Sequence, residues 1–345
     1  AKYPNTAESK EALIQLKNIA VSQNKVEEYV AYVKTVPNSD VSESAQDSLL
    51  YEAAELQYTQ GNCDASVKNF DNYLQKFPNG AFRTNASYYK ADCQFRSKDF
   101  TNALTGYNYV IDQPKNSFTE KSLLNAAIIN YRMNQFDKAL EDYEKLETVA
   151  EVKENIAASQ VGQMYSAFRI NQYDKAISNA QKVIASATDK DLLNDAHLIL
   201  AKSALAKDDL ATAKTEFEIV AKRTNSAMTA EANYNLALIE YKLGNYKQSK
   251  ELVLKLTHIT PSYDYWIAKG FILLGDDYVA MADTFQAKET YKSIIANYEK
   301  DPTDPDDLRA IATEKLNALN KEEEDRNREM KKPEMENDSL EMENK

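Results

Sequence analysis

Phe136, Ala139, Tyr143 and Leu146 are spaced so that a helix would carry them on one face: a ring, a small residue, a second ring, then an aliphatic side chain. Just before them, Asn134 and Gln135 interrupt an apolar segment that ends at Arg132. The pattern predicts a helix, a tight polar turn and a second helix starting at Phe136. One such pair cannot bury its own apolar face, but the pattern recurs. Aligned on the small residue, it returns at Ser66, Ala103, Ala139, Ala176, Ala213, Ser249 and Ala287, in steps of 37, 36, 37, 37, 36 and 38 residues. A period of this size is the mark of a helical repeat array. Three residues before the small position stand Cys63, Phe100, Phe136, Tyr173, Leu210, Tyr246 and Thr284. Four residues after it stand Phe70, Tyr107, Tyr143, Ala180, Phe217, Val253 and Tyr291.

A second line of small residues lies twelve positions earlier, in the preceding helix: Ala54, Ala91, Ala127, Met164, Ala201, Ala237 and Gly275. Two backbones must therefore approach closely at both lines. Pro4, Pro37, Pro78, Pro114 and Pro261 mark where second helices stop, because proline cannot continue a helix. The segments LALIEYKLGNYKQSKELV (236–253), AAIINYRMNQFDKALEDY (126–143) and FDNYLQKFPNG (70–80) resemble the tetratricopeptide repeat family. The resemblance implies an all-α, right-handed α-solenoid of stacked antiparallel helix pairs over residues 1–303, about eight repeats. The first repeat, around Leu13 to Pro37, is degenerate, with Lys25 where a small residue belongs. Two further departures are Met164 with Ala180 in one repeat, and Thr284 in place of an aromatic in the last.

A terminal repeat needs a polar outer surface, so the array should end in a capping helix. Residues 304–320 supply it: Asp and Pro start signals precede a stripe of Leu308, Ile311, Ala312, Leu316 and Leu319. Residues 321–345, with ten acidic and six basic side chains and few aliphatics, are expected to be a solvated tail outside regular structure. The opening residues KYPN read as the end of a repeat, so the chain is taken as a fragment or processed form of something longer.

Composition agrees with a helical protein, since Gly (7) and Pro (8) are scarce. A formal charge of -12 argues against nucleic acid as a partner, which would need a basic face. No apolar run is long enough for a membrane span. The most hydrophobic stretch, DYWIAKGFILLGDDY around Trp266, is expected to be a buried first helix rather than a membrane contact. His197 and His258 are far apart and each lacks a nearby ligand, so no metal is expected. Cys63 and Cys93 fall at the same edge of stacked pairs, where a disulfide is geometrically open to them; two buried thiols acting as small hydrophobes is the favoured reading. No phosphate loop, nucleophile elbow, dinucleotide fingerprint or catalytic carboxylate pair is present, so neither catalysis nor a cofactor is expected.

The resemblance also implies a groove lined by first helices that holds a peptide or a partner protein. Its positions place Tyr88, Asp92, Asn125 and Tyr165 in the candidate partner-binding set, together with cations one turn further on: Arg96, Arg132, Arg169 and Lys242. Three arginines at equivalent places in consecutive repeats make a ladder for carboxylates. The competing reading is simpler: a cation in the last turn of a helix gains about 0.3–1 kcal/mol from the macrodipole. Asn125 and Asn235 occupy one position of the family's carboxylate clamp, but the accompanying lysines are missing, so the clamp is not carried over. The stripe Tyr58, Phe95, Tyr131, Phe168, Leu205, Tyr241 and Val279 is expected to be packing.

Repeats with YPN or FPN endings and Ala- and Tyr-rich first helices are similar to the bacterial cell-envelope branch of the family, including scaffolds of outer-membrane assembly and the Tol–Pal system. That likeness implies a non-catalytic interaction scaffold, periplasmic or associated with the outer membrane. The alternatives are an envelope protein that captures glycans or other ligands on its tyrosines, and a cytoplasmic adaptor.

Overall fold

The computed structural model describes residues 6–223 and 226–342, with side chains to residue 329; Pro4 and the KYPN segment lie outside the described residues. Helices follow one another in pairs: α1 (Ala7–Ser22) with α2 (Val26–Val33), α3 (Glu43–Thr59) with α4 (Cys63–Lys76), α5 (Arg83–Arg96) with α6 (Phe100–Ile111), and α7 (Thr119–Arg132) with α8 (Phe136–Val149). Next come α9 (Lys153–Arg169), α10 (Tyr173–Ser186), α11 (Lys190–Ala206), α12 (Leu210–Arg223), α13 (Ala227–Lys242), α14 (Tyr246–Leu256), α15 (Asp264–Ala280), α16 (Thr284–Asn297) and α17 (Leu308–Met342). The chain forms two compact units, Ala1–Lys175 and Ala176–Lys345. Within each, a helix packs on its pair mate and each pair stacks on the next.

The periodic positions explain why. The residues three before the small position are the first residues of α4, α6, α8, α10, α12, α14 and α16. All seven small residues are fully buried, from Ser66 to Ala287. Every residue four positions later, from Phe70 to Tyr291, is buried as well. At the line twelve residues earlier the approach is close enough at Gly275 that an added Cβ would stand 2.3 Å from Cε1 of Tyr291. Gly162 of α9 is equally confined, 2.3 Å from the Tyr143 ring of α8.

One turn is used throughout. Two residues before each second helix the backbone enters the left-handed region, at Asn24, Gly61, Lys98, Asn134, Asn171, Asp208, Gly244 and Ala282. In the opening motif the N–H of Gln135 donates to the Asn130 carbonyl at 2.8 Å and that of Asn134 to the Tyr131 carbonyl at 3.0 Å. These bonds close the carbonyls left over at the end of α7 in a Schellman turn. Asn and Gly suit that conformation, whereas Lys98 and Ala282 hold it at positive φ against their Cβ atoms.

Three expectations change. In the first repeat, the turn at Asn24 sets the register so that half-buried Tyr29, not Lys25, holds the small position; Lys25 is the N-cap of α2. Cys63 and Cys93 are joined as a disulfide, with Cα atoms 5.2 Å apart, because the start of α4 and the last turn of α5 meet at one edge. In the chain-entropy account, closing that loop stabilises the fold by about 3–4 kcal/mol. Finally, the cap begins at Leu308 and does not stop at residue 320. Leu308, Ala312 and Leu319 bury against Ala268, Ala287, Tyr291 and Tyr298 as a cap should. The helix then runs on through the charged segment to Met342. Nothing breaks it before Pro333, and oppositely charged side chains a turn apart support it: Arg328 lies 3.8 Å from both Glu324 and Asp325.

Asp277 of α15 is an exception to the apolar interior. It is fully buried, and neither carboxylate oxygen has a hydrogen-bond partner among the described residues. Burial pushes its pKa up to about 6; the nearby Ser249 hydroxyl, outside hydrogen-bond geometry, offsets this in part, and Asp276 adds to it. The folded state therefore holds its proton more tightly than the unfolded state, so stability falls as pH rises from about 4 through about 6. Asp277→Asn removes that ionisation. Its unfolding free energy relative to the parent is expected to improve by up to about 3 kcal/mol between pH 4 and pH 8. Urea denaturation of both proteins at the two pH values tests this, and an equal difference at both would contradict it.

Candidate partner-binding face

On α5, Tyr88, Asp92 and Arg96 follow at intervals of four residues and so share a face. Asp92 is 7% exposed and accepts hydrogen bonds from the Tyr58 hydroxyl of α3 at 2.8 Å and from Arg96 Nη2 at 2.5 Å. Arg96 also donates to the Tyr58 oxygen at 3.1 Å and lies over the Tyr58 ring. Burial, then the bond to Asp92, pushes the Tyr58 pKa up to about 12. Around this centre, Tyr58 packs on Tyr89 with centroids 4.4 Å apart, and Tyr88 stacks on Phe118 at 4.4 Å. Tyr88 also meets Tyr107, whose hydroxyl accepts from Asn125 Nδ2 at 2.8 Å. Burial raises the pKa of both Tyr88 and Tyr107. The first unit thus joins Tyr88, Asp92, Arg96 and Asn125 in one aromatic and polar network.

Arg132 and Arg169 are placed differently. Each is exposed at the end of its first helix and lies over the aromatic residue that opens the previous repeat's second helix: Arg132 over Phe100 at 5.5 Å, Arg169 over Phe136 at 4.7 Å. Such stacking holds the guanidinium plane while leaving its edge available. Among the described residues, neither has a carboxylate within ion-pair distance, whereas Arg96 is neutralised by Asp92. Tyr165 is half-buried one turn before Arg169. Lys242 belongs to the second unit, where it pairs with Asp208 at the preceding turn, 3.0 Å away. Most of the stripe behaves as packing: Phe95 meets Phe100, Tyr131 meets Phe136 and Tyr241 meets Tyr246, each at the start of the following helix, whereas Val279 near the end of α15 is exposed.

A second cluster escaped the sequence reading. In the second unit, Nζ of Lys269 lies 5.2 to 5.8 Å from the ring centroids of Tyr234, Tyr265 and Trp266 and 2.6 Å from Asp306. The bonds to Asp306 and Tyr265 hold the Lys269 pKa above its ordinary value despite desolvation, the largest single influence, which acts the other way. The only hint was the sole tryptophan directly after Tyr265, with Tyr263 two residues further back; the carboxylate comes from a stretch 37 residues away that read merely as helix-start signal.

Residues 143–321 match the family model described as a tetratricopeptide repeat-like domain, and residues 51–117 that of the tetratricopeptide repeat. No curated protein matches the chain. Among solved structures, a tetratricopeptide repeat protein from Parabacteroides merdae is 16% identical, with 81% of this chain and 99% of that one covered and a TM-score of 0.40. YrrB, described as having an unusual peptide-binding site, is 16% identical over 61% of this chain and 98% of its own, with a TM-score of 0.44. The apo form of RapI is 13% identical over 83% and 86%, with a TM-score of 0.47.

If Asp92 organises the network, Asp92→Ala leaves a half-buried tyrosine hydroxyl without its acceptor and should destabilise the protein by about 1–3 kcal/mol. Arg96→Ala, which removes a half-exposed partner, should cost under about 1 kcal/mol, and the two changes should not be additive. A double-mutant cycle by chemical denaturation decides it; additive effects would mean the contacts are independent.

Proposed function

The chain belongs to the tetratricopeptide repeat family, matched over residues 143–321 and 51–117, and we propose that it is a non-catalytic adaptor holding a carboxylate-bearing peptide segment of a partner protein. Proteins of this family are generally protein–protein interaction scaffolds. The observation that carries the finer reading is the pair Arg132 and Arg169: exposed, equivalent in adjacent repeats, each backed by a ring, and each without an internal carboxylate among the described residues. An immobilised guanidinium loses little freedom when it takes a carboxylate through two parallel hydrogen bonds. Arg96 belongs to the frame of the face, because Asp92 already occupies it.

The site of action in this reading is the bacterial cell envelope, periplasmic or at the outer membrane, in a scaffold of the outer-membrane assembly or Tol–Pal type. The Cys63–Cys93 disulfide supports it, since such bonds persist in oxidising compartments. No helix among the described residues is long and apolar enough to cross a membrane.

Affinity capture from envelope and cytosolic fractions tests both parts. The Arg132→Ala/Arg169→Ala variant should lose the partner that the parent retains, and Arg96→Ala should keep it. An unchanged set of captured proteins would reduce the arginines to structural clips. Thiol alkylation before lysis should find no free thiol at Cys63 or Cys93 in cells; two alkylated cysteines would place the chain in a reducing compartment.

A further inference from the structure

The second unit contains a cavity of about 710 Å³ between the start of α15 and the irregular stretch that joins α16 to α17. Tyr263, Tyr265 and Trp266 form its aromatic wall. Four carboxylates line it, those of Asp264, Glu299, Asp301 and Asp304, against the single cation of Lys300. From this combination of rings and anionic groups we propose that the cavity is a ligand site for an arginine or lysine side chain presented by a peptide segment, separate from the arginine face of the first unit.

The charge balance selects the ligand. Anionic groups are repelled, while a cation gains from the carboxylates and from the ring faces together. Asp304 is fixed, accepting from the Tyr298 hydroxyl and from the Asp301 N–H, and Asp264 accepts from Ser262 at 2.5 Å. Asp301 is turned toward the Thr303 hydroxyl, at 2.6 Å, which lowers its pKa and keeps it ionised near neutrality. Glu299 has no hydrogen-bond or ion-pair partner among the described residues, so its charge is available at the rim. The same aromatic wall already accepts one ammonium, that of Lys269, which lies 5.8 Å from Trp266 and 5.2 Å from Tyr265. Asp306 neutralises it at 2.6 Å, so it does not repel a second cation. The volume exceeds what a lone ammonium fills and suits a long side chain with its flanking backbone.

Trp266 is the only tryptophan of the chain, so its emission reports the cavity directly. The intact protein is titrated with an end-capped hexapeptide carrying two arginines, with its glutamate counterpart and with spermidine. The arginine peptide should give a saturable change. Glu299→Gln alone should weaken it measurably, and Glu299→Gln with Asp301→Asn by about tenfold, both side chains being exposed and outside the core. The proposal is overturned by the absence of a saturable change, by an equal response to the glutamate peptide or to spermidine, or by unchanged affinity in Glu299→Gln. None of these outcomes bears on Arg132 and Arg169, which are tested by capture.

Discussion

Everything in this protein depends on how closely two helix backbones can approach. Ser66, Ala103, Ala139, Ala176, Ala213, Ser249 and Ala287 are all buried completely, and a larger side chain at any of them would push a second helix off its neighbours. The close approach leaves space one turn later, which Phe70, Tyr107, Phe217 and Tyr291 fill without any solvent exposure beyond 1%. Where the rings crowd most, the sequence gives up even a methyl group, at Gly162 beneath Tyr143 and Gly275 beneath Tyr291. Met164 and Ala180, which reverse the usual small and large positions, are both fully buried, so volume is retained while its distribution changes.

The reused turn connects this architecture to recognition. By following each first helix with a residue in the left-handed conformation, it brings the last-turn cations Arg96, Arg132, Arg169 and Lys242 to equivalent points of their repeats. What that cation does is then set by its neighbours. Arg96 meets Asp92 and closes a network; Arg132 and Arg169 meet rings and keep their hydrogen-bonding edges; Lys242 meets Asp208. A repeated position thus yields different chemistry from one repeat to the next, as expected when the backbone geometry is held by packing and the exposed faces are not.

The first helix of the last repeat, α15, carries three buried or half-buried charged residues, Lys269, Asp276 and Asp277. Among the described residues, Asp277 is buried without a hydrogen-bond partner while its neighbour Asp276 receives both the Tyr291 hydroxyl and Lys315 of the capping helix. Lys269 is enclosed by three rings and Asp306. The cap therefore covers the apolar end of the array with Leu308, Ala312 and Leu319 and also supplies charge partners to the helix beneath it.

By itself the sequence determined the repeat, the starts of seven second helices, the buried small and large lines and the capping stripe, because each follows from local periodicity and from steric limits on small residues. It also marked out the cations at the ends of the first helices. It did not determine the register of the first repeat, where Tyr29 takes the small position, since a one-turn error is invisible until the turn at Asn24 is seen in place. Nor did it decide between thiols and a disulfide, or between a solvated tail and a continuing helix. Only the tertiary structure resolved which cations were already paired and brought Asp306 to Lys269: the Lys242–Asp208 and Lys269–Asp306 contacts join residues 34 and 37 positions apart, which periodicity does not encode, and even the one-turn Asp92–Arg96 pair looks the same in sequence whether or not it closes.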